Sequence, residues 1–318
     1  MGLTAIDMFS GAGLLSAGFR RARFELLQAV ELDREAVDTY RLNIGEIVVL
    51  GSVREHQPVG LCDVIVAGPP CQGFSTLGRR DPTDERNELS LEVPRWAQVA
   101  NAKVVVVENV PPFLQSAQWK RLATALEALS YSVETWELDA LDFGVPQRRR
   151  RAFTVASRVG EIGPPEPTTP GVTVAEALAD IDPGDPLHRW PTPSREALER
   201  MKVIPAKGDK RDIIRLAPEL CPPSWARMGC QATDVWGRMD PDAPANTLRC
   251  TFQNPSKGRY LHPTEHRTLS LREGARLQGI PDSWQMVHRH YPIARQIGNG
   301  VPVPLAEAVG RRVAEALS

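Results

Sequence analysis

The stretch LTAIDMFSGAGLLSAGFRRA, residues 3–22, decides how the fold is read. LTAIDMF is a short apolar run of the kind that a buried strand makes. It breaks at Ser10-Gly11-Ala12-Gly13, and LLSAGFRRA continues with the character of a helix. Glycines between a first strand and a helix let a nucleotide-like ligand approach the backbone and the helix N-terminus. The next apolar run, FELLQAVEL (24–32), closes near Glu31. That is about 20 residues on, where an acidic side chain can take ribose hydroxyls. A Gly-x-Gly turn also serves simply to pack a strand on a helix. The Glu31 spacing does not choose between an adenosyl and a dinucleotide ligand.

Working outward, a helix is expected through Glu35–Leu42, and IVVLGSV (47–53), DVIVAG (63–68) and KVVVVENV (103–110) are further buried-strand candidates. WKRLATALEAL (119–129) has helical spacing, and YSVETWELDA and RRAFTVASR read as later strands. Strand and helix in alternation, with Gly or Pro at the switch points, predict an α/β fold: a Rossmann-like, doubly wound, mostly parallel sheet. The pattern changes after Arg158. GEIGPPEPTTPG (160–171) is a linker, TVAEALADI a short helix, and the chain from Pro183 to about Thr264 is rich in Pro, Trp, Arg and Gly. A small loop-rich domain is expected there. Helix returns at SLREGARLQ (270–278) and VPLAEAVGRRVAEAL (303–317). The expected division is 1–183, then 184–264, with 265–318 returning to complete the first domain.

The chain has 318 residues, 42% hydrophobic and 24% charged, which excludes wholesale disorder. No run approaches 18 apolar residues, so no membrane helix is expected. The N-terminus has no basic segment before an apolar core, so export is not expected. Five scattered cysteines without a Cys-x-x-Cys pair fit reduced thiols in a cytoplasm. The net charge of −1 hides an asymmetry. Residues 1–141 hold 13 Lys and Arg against 19 Asp and Glu, and residues 142–318 hold 25 against 20. A basic half beside an acidic one fits a polyanion-binding face, although an uneven spread of solvated charge looks the same. Cys221, Cys230, Cys250, His262 and His266 match no close-paired zinc spacing, and no metal is expected.

Pro69-Pro70-Cys71-Gln72-Gly73-Phe74-Ser75 directly follows DVIVAG. A cysteine at the carboxyl end of a parallel strand sits where such domains place catalytic groups. An inert buried thiol is the competing reading. PPCQGFS resembles the catalytic loop of the DNA (cytosine-5) methyltransferases, and DMFSGAG resembles their cofactor loop. Further blocks follow in the family's order along nearly the whole chain. They are DERNEL (84–89), ENV (108–110), GVPQRRRR (144–151), RTLSLREGARLQGIPDSW (267–284) and QIGNGVPVPLAEAVG (296–310).

The resemblance implies a class I methyltransferase using S-adenosylmethionine on cytosine carbon 5 in duplex DNA. In it Cys71 is the nucleophile toward ring carbon 6. Glu108 holds ring nitrogen 3 and the exocyclic amine. Arg151 holds the carbonyl oxygen, and Arg149 supports the pocket or a phosphate. For the cofactor it implies Phe9, Ser10, Gly11, Gly13, Glu31, Ser52, Pro70, Asn299 and Val301. For DNA it implies Ser75, Arg79, Arg80 and Gln147, the last helping to fix its loop. Arg149 and Arg151 are expected inward, and Arg148 and Arg150 outward. Target choice is expected in 184–264, with Arg189, Arg195, Lys202, Lys207, Lys210, Arg211 and Arg227 as candidate contacts.

Two departures stand out: Ser52 replaces an aspartate that binds the adenine amine, and Leu14 replaces a glycine. A prokaryotic, cytoplasmic monomer is implied, bound to the nucleoid when on DNA, with a separate restriction endonuclease as its possible companion. A transfer RNA methyltransferase and a catalytically silent DNA-binding relative are the alternatives. A nicotinamide dehydrogenase is a more distant one.

Overall fold

The computed structural model describes residues 2–70, 85–169, 171–223, 225 and 234–318. Its strands are β1 (Thr4–Met8), β2 (Glu25–Glu31), β3 (Val48–Leu50), β4 (Val64–Ala67), β5 (Val104–Asn109), β6 (Ser132–Asp139), β7 (Gln147–Arg148), β8 (Arg150–Ser157) and β9 (Ala245–Asn246). Its α-helices among the described residues are α1 (Leu14–Arg21), α2 (Arg34–Asn43), α3 (Glu92–Val99), α4 (Ala117–Glu127), α5 (Val174–Leu178), α6 (Arg195–Val203), α7 (Lys210–Leu216), α8 (Leu271–Leu277), α9 (His290–Asn299) and α10 (Val303–Leu317).

Seven strands make one sheet in the order β3-β2-β1-β4-β5-β8-β6. The neighbours from β3 to β5 are parallel, whereas β8 runs antiparallel to both β5 and β6. The mostly parallel α/β sheet expected from the alternation is therefore present. Its central strands are mainly apolar because both faces are covered: Val64–Ala67 and Val104–Asn109 are buried along their whole lengths, with polar residues only at the carboxyl end of the second. Strand order reverses between β1 and β4. At such a switch point the loops leaving the carboxyl ends diverge and open a crevice. Residues 9–13 and 68–70 are those loops.

The chain separates into two compact units. The first comprises Met1–Phe143, Arg150–Pro170 and Gly300–Ser318 and carries the sheet; the second comprises Gly144–Arg149 and Gly171–Asn299. The 184–264 segment lies inside the second. Residues 265–318 divide, with those up to Asn299 in the second unit and only Gly300–Ser318 in the first.

In the first unit α10 lies against α1 so closely that a methyl group on Gly18 would stand 2.3 Å from the Ala306 Cβ. The second unit is more regular than its composition suggests. Helices α6 and α7 begin where Ser194 and Asp209 accept backbone N–H groups at their N-caps. Both flank a small core of Met201, Ile204, Ile213, Trp225, Trp236 and Leu261. Proline-rich flanks hid these helices, as the absence of a sharp start signal hid α3 and α9.

Candidate active site

In the first unit, three strand ends bring the predicted residues together. Phe9 leaves β1 with φ 60°, and Gly11 and Gly13 follow at 53° and 89°. Left-handed backbone is cheap for the glycines but strained for Phe9, and such strain gathers at ligand sites. Ser10 is buried, its N–H donating to the Val30 carbonyl. Glu31 reaches back under this loop. Its Oε2 accepts the Gly11 N–H at 2.8 Å, and its Oε1 accepts those of Leu32 and Asp33, each at 2.8 Å. A carboxylate offers about four lone-pair directions, so one is left for a further donor such as a ribose hydroxyl. Burial raises the Glu31 pKa above the usual carboxylate value. The open turn and the remaining lone pair fit an adenosyl ligand.

At the end of β4, the Gly68 N–H donates to the Met8 carbonyl at 3.2 Å. A Cβ placed on Gly68 would lie 3.8 Å from Glu108 Oε2 and 3.9 Å from the Phe9 carbonyl. Gly68 thus lies between the β5 carboxylate and the turn after β1, within van der Waals reach of both. Glu108 is buried at the end of β5, and Arg151 Nε lies 2.9 Å from its Oε1. The pair meets because β8 runs antiparallel beside β5, matching Glu108 with Phe153 and Asn109 with Ala152. Arg151 Nη1 donates to the Arg150 carbonyl. A carboxylate fixed beside a planar, multi-donor guanidinium can hold a planar amide-like ring edge from two sides.

Asn109, which was not predicted as a site residue, donates to the Pro69 carbonyl at 3.3 Å and accepts the Val110 N–H at 2.8 Å. It ties the end of β5 to the approach to Cys71. Its signal was its place in the ENV block. Pro70 is the last residue before a gap in the description. Cys71, Ser75, Arg79, Arg80, Arg227 and Cys230 all lie outside the described residues. Ser52 sits in a turn beyond β3, its hydroxyl accepting the Arg54 N–H at 3.3 Å. Val301 is buried in the first unit, whereas Asn299 ends α9 in the second and is exposed.

The arginine run alternates as its strand period requires: Arg148 and Arg150 are exposed, Arg149 is buried and Arg151 partly so. Within the second unit the Arg149 guanidinium donates to the carbonyls of Leu248 (2.9 Å) and Gly298 (2.7 Å). Gln147, expected at DNA, is instead fully buried. Its amide donates to the Leu277 carbonyl and Gln278 and accepts the Leu248 N–H, so it locks its own segment in place. Of the candidate DNA contacts, Lys210 is fully buried. Lys202, Lys207 and Arg211 are paired with Glu199, with Asp240 and Asp242, and with Asp209. Among the described residues no group of three His, Cys, Asp or Glu stands ready for a metal ion. No helix among them is long and apolar enough to cross a membrane.

A second group missed by sequence reading lies under the same loop. Asp7 is fully buried in β1, and Ser16 of α1 donates to its Oδ2 at 2.6 Å. Ser16 in turn stands 2.9 Å from the Tyr40 hydroxyl on α2. Asp7 Oδ1 has no hydrogen-bond partner among the described residues. Burial, against the Ser16 hydrogen bond, pushes the Asp7 pKa up to about 7. A lone acid inside LTAIDMF was the available signal.

With this geometry established, the comparisons agree with one another. The model of the C-5 cytosine-specific DNA methylases matches residues 3–315. The Type II methyltransferase M1.HphI of Haemophilus parahaemolyticus is 33% identical over 98% of this chain and 87% of that protein. M.NgoMIV of Neisseria gonorrhoeae, also a Type II methyltransferase, is 30% identical over 100% of this chain and 99% of its own. Among solved structures, a DNA modification methyltransferase encoded within an E. coli prophage has a TM-score of 0.72 at 24% identity, covering 99% of each chain. The Dnmt2 methyltransferase of S. pombe has a TM-score of 0.67 at 15% identity, again over 99% of each. These two likenesses bear on the fold alone. On the match from residue 3 to residue 315, the chain belongs to the family of C-5 cytosine-specific DNA methylases and is a DNA cytosine-5 methyltransferase.

Proposed function

We propose that this chain transfers a methyl group from S-adenosylmethionine to carbon 5 of a cytosine within a short duplex DNA sequence. The reaction runs through a bond between Cys71 and ring carbon 6 of a base turned out of the helix. The observation that carries this reading is the Glu108–Arg151 pair beside the Phe9 carbonyl. It stands on the same strand ends as the Glu31-capped glycine turn and the Pro69-Pro70 approach to Cys71.

Carbon 5 of cytosine is a weak nucleophile, and covalent addition at carbon 6 corrects this. The Cys71 thiolate bonds to carbon 6 while ring nitrogen 3 takes a proton at Glu108, which makes carbon 5 electron-rich. Arg151 holds the carbonyl oxygen as negative charge develops there. S-adenosylmethionine, when bound, supplies an electrophilic methyl group. After carbon 5 has gained it, the carbon 5 proton leaves to a base, the electron pair expels the Cys71 sulfur, and ring nitrogen 3 returns its proton to Glu108, restoring the ring. Unpairing the target base costs a few kcal/mol, which backbone contacts must offset. Glu31 would take the ribose, and Phe9, Ser10, Gly11, Gly13, Ser52, Pro70 and Val301 would line the cofactor. The segment with Ser75, Arg79 and Arg80 would close on DNA, and residues 184–264 would choose its sequence. The names of the Type II relatives support a role beside a restriction endonuclease that reads the same sequence.

The test is bisulfite sequencing of random duplex DNA after incubation with the chain and S-adenosylmethionine, next to Cys71→Ala. Protection of cytosines in one short context, absent with the variant, is the expected result. Binding of the cofactor without any protected cytosine would overturn the DNA reading; methylated transcripts would then establish an RNA substrate, and none a silent binder.

A further inference from the structure

The buried chain Asp7–Ser16–Tyr40 has no part in the reaction as derived above, yet it lies directly under the cofactor turn. In the sheet register Asp7 of β1 pairs with Ala29 of β2, and Glu31 follows Ala29 by two residues. Parallel register partners share a face, and so do residues two apart, so Asp7 and Glu31 stand on one face of the sheet. Strand spacing and rise put their Cα atoms about 8 Å apart. Above them the chain turns through Phe9, Gly11 and Gly13, all at positive φ. Tyr40 also shapes this turn from below: a Cβ on Gly13 would meet its ring at 2.9 Å.

A purely structural anchor does not need an acid here. The two hydroxyls of Ser16 and Tyr40 require an acceptor at one end, and a neutral amide oxygen would serve. Instead a fully buried carboxyl is present with one oxygen unpartnered among the described residues. Buried polar atoms are nearly always paired, and an unpaired acid is costly unless its charge is put to use. The groups facing Asp7 are few. Glu31 lies on β2 and Tyr40 on α2, Arg20 acts on the Tyr40 side, α1 presents the neutral Ser16, and the β4 register partner is Val66. Among the described residues the charged group acting on Asp7 is the acid Glu31, so these two carboxyls make the local field negative whenever Asp7 is ionised.

S-adenosylmethionine carries a sulfonium and one net positive charge; its product S-adenosylhomocysteine has lost that charge. Resting on the cofactor reading above, we propose that Asp7 is a positioning residue that uses its charge, jointly with Glu31, to favour the cationic cofactor over its neutral product. Ser16 and Tyr40 hold its carboxyl in place beneath the turn. The burial that brings Asp7 to titrate near neutrality makes this preference respond to pH in the working range. The consequence is release from product inhibition as pH rises through neutrality.

Calorimetric titration of the full chain with each of the two ligands, without DNA, between pH 6 and pH 7.5 tests this. Affinity for S-adenosylmethionine should rise about fivefold across that range, while affinity for S-adenosylhomocysteine changes less than about twofold. Asp7→Asn should remove at least half of the rise and reduce the preference for the cation, leaving product affinity near that of the parent chain. Ser16→Ala, which removes the hydrogen bond favouring the ionised form, should move the midpoint of the rise to higher pH. Equal loss of both ligands in Asp7→Asn, or a preference independent of pH in the parent chain, overturns the proposal. If Asp7→Asn does not fold, an unmoved midpoint in Ser16→Ala overturns it equally. If neither ligand binds the parent chain, the cofactor reading itself fails, and this proposal with it.

Discussion

Glu108 and Arg151 show how much chemistry one register decides. Forty-three positions apart in sequence, they meet at 2.9 Å because β8 returns antiparallel beside β5. The guanidinium fixes the carboxylate, and its planar fork cannot be replaced by a lysine without loss of that geometry. Glu108→Gln keeps the shape and removes the acid. Single-turnover methylation should fall about 100- to 10,000-fold while DNA affinity changes less than about twofold. An unchanged single-turnover rate would refute the proton-donor role. Arg149 teaches the opposite lesson. It belongs to the same arginine run, but its two terminal nitrogens donate to the carbonyls of Leu248 and Gly298, so it braces the second unit at this point.

At the scale of elements, β1, its turn and α1 form one device. The turn can approach a ligand because Gly11 and Gly13 accept left-handed backbone, and α1 is held from outside by α10. Gly18 is the contact that permits this: its missing side chain makes room for Ala306 and for the Glu307 backbone nitrogen, 2.6 Å from where a Cβ would be. Alanine is ordinarily the better helix former by about 1 kcal/mol. Here overpacking against backbone should prevail, so Gly18→Ala is expected to lower stability by about 1–3 kcal/mol. Thermal unfolding would show it as a drop in midpoint; a rise would mean that the two helices simply move apart. The second unit relies on capping instead, with boxes at Thr173, Asp209 and Ser270 starting its short helices.

For the whole molecule, pH acts on stability through the buried acids, and their signs oppose. Asp7 has an ordinary value of 3.8 raised to about 7 in the fold, so between those values the folded chain keeps a proton that the unfolded chain releases. Its contribution is therefore greatest below about pH 4 and declines as pH rises to about 7, by an upper bound of about 4 kcal/mol. Glu273 behaves the other way. Held by Arg267, it sits below its ordinary value despite burial, and its contribution is present at neutral pH and lost on acidification. Replacing Asp7 by Asn isolates the first effect. Between pH 5 and pH 7.5, denaturant unfolding of Asp7→Asn should gain about 2 kcal/mol on the parent chain. A constant difference would show that Asp7 keeps an ordinary pKa.

The sequence by itself determined the alternation of short apolar strands with helices, because burial on both faces leaves that pattern in composition. It also placed Gly11, Gly13, Glu31 and Glu108 at strand ends, since glycines and acids that interrupt apolar runs mark where strands stop. The helices at Arg195–Val203 and Lys210–Leu216 escaped it, because their caps sit among prolines and their apolar faces complete a core only together. The tertiary structure alone decided which arginine meets Glu108, that Gln147 is buried, that the inward-facing Arg149 donates to the Leu248 and Gly298 carbonyls, and that Asn109 anchors Pro69. It also decided that Asp7, Ser16 and Tyr40 form one buried chain. Each of these depends on register or on packing between elements distant in sequence, and local preference carries no information about either.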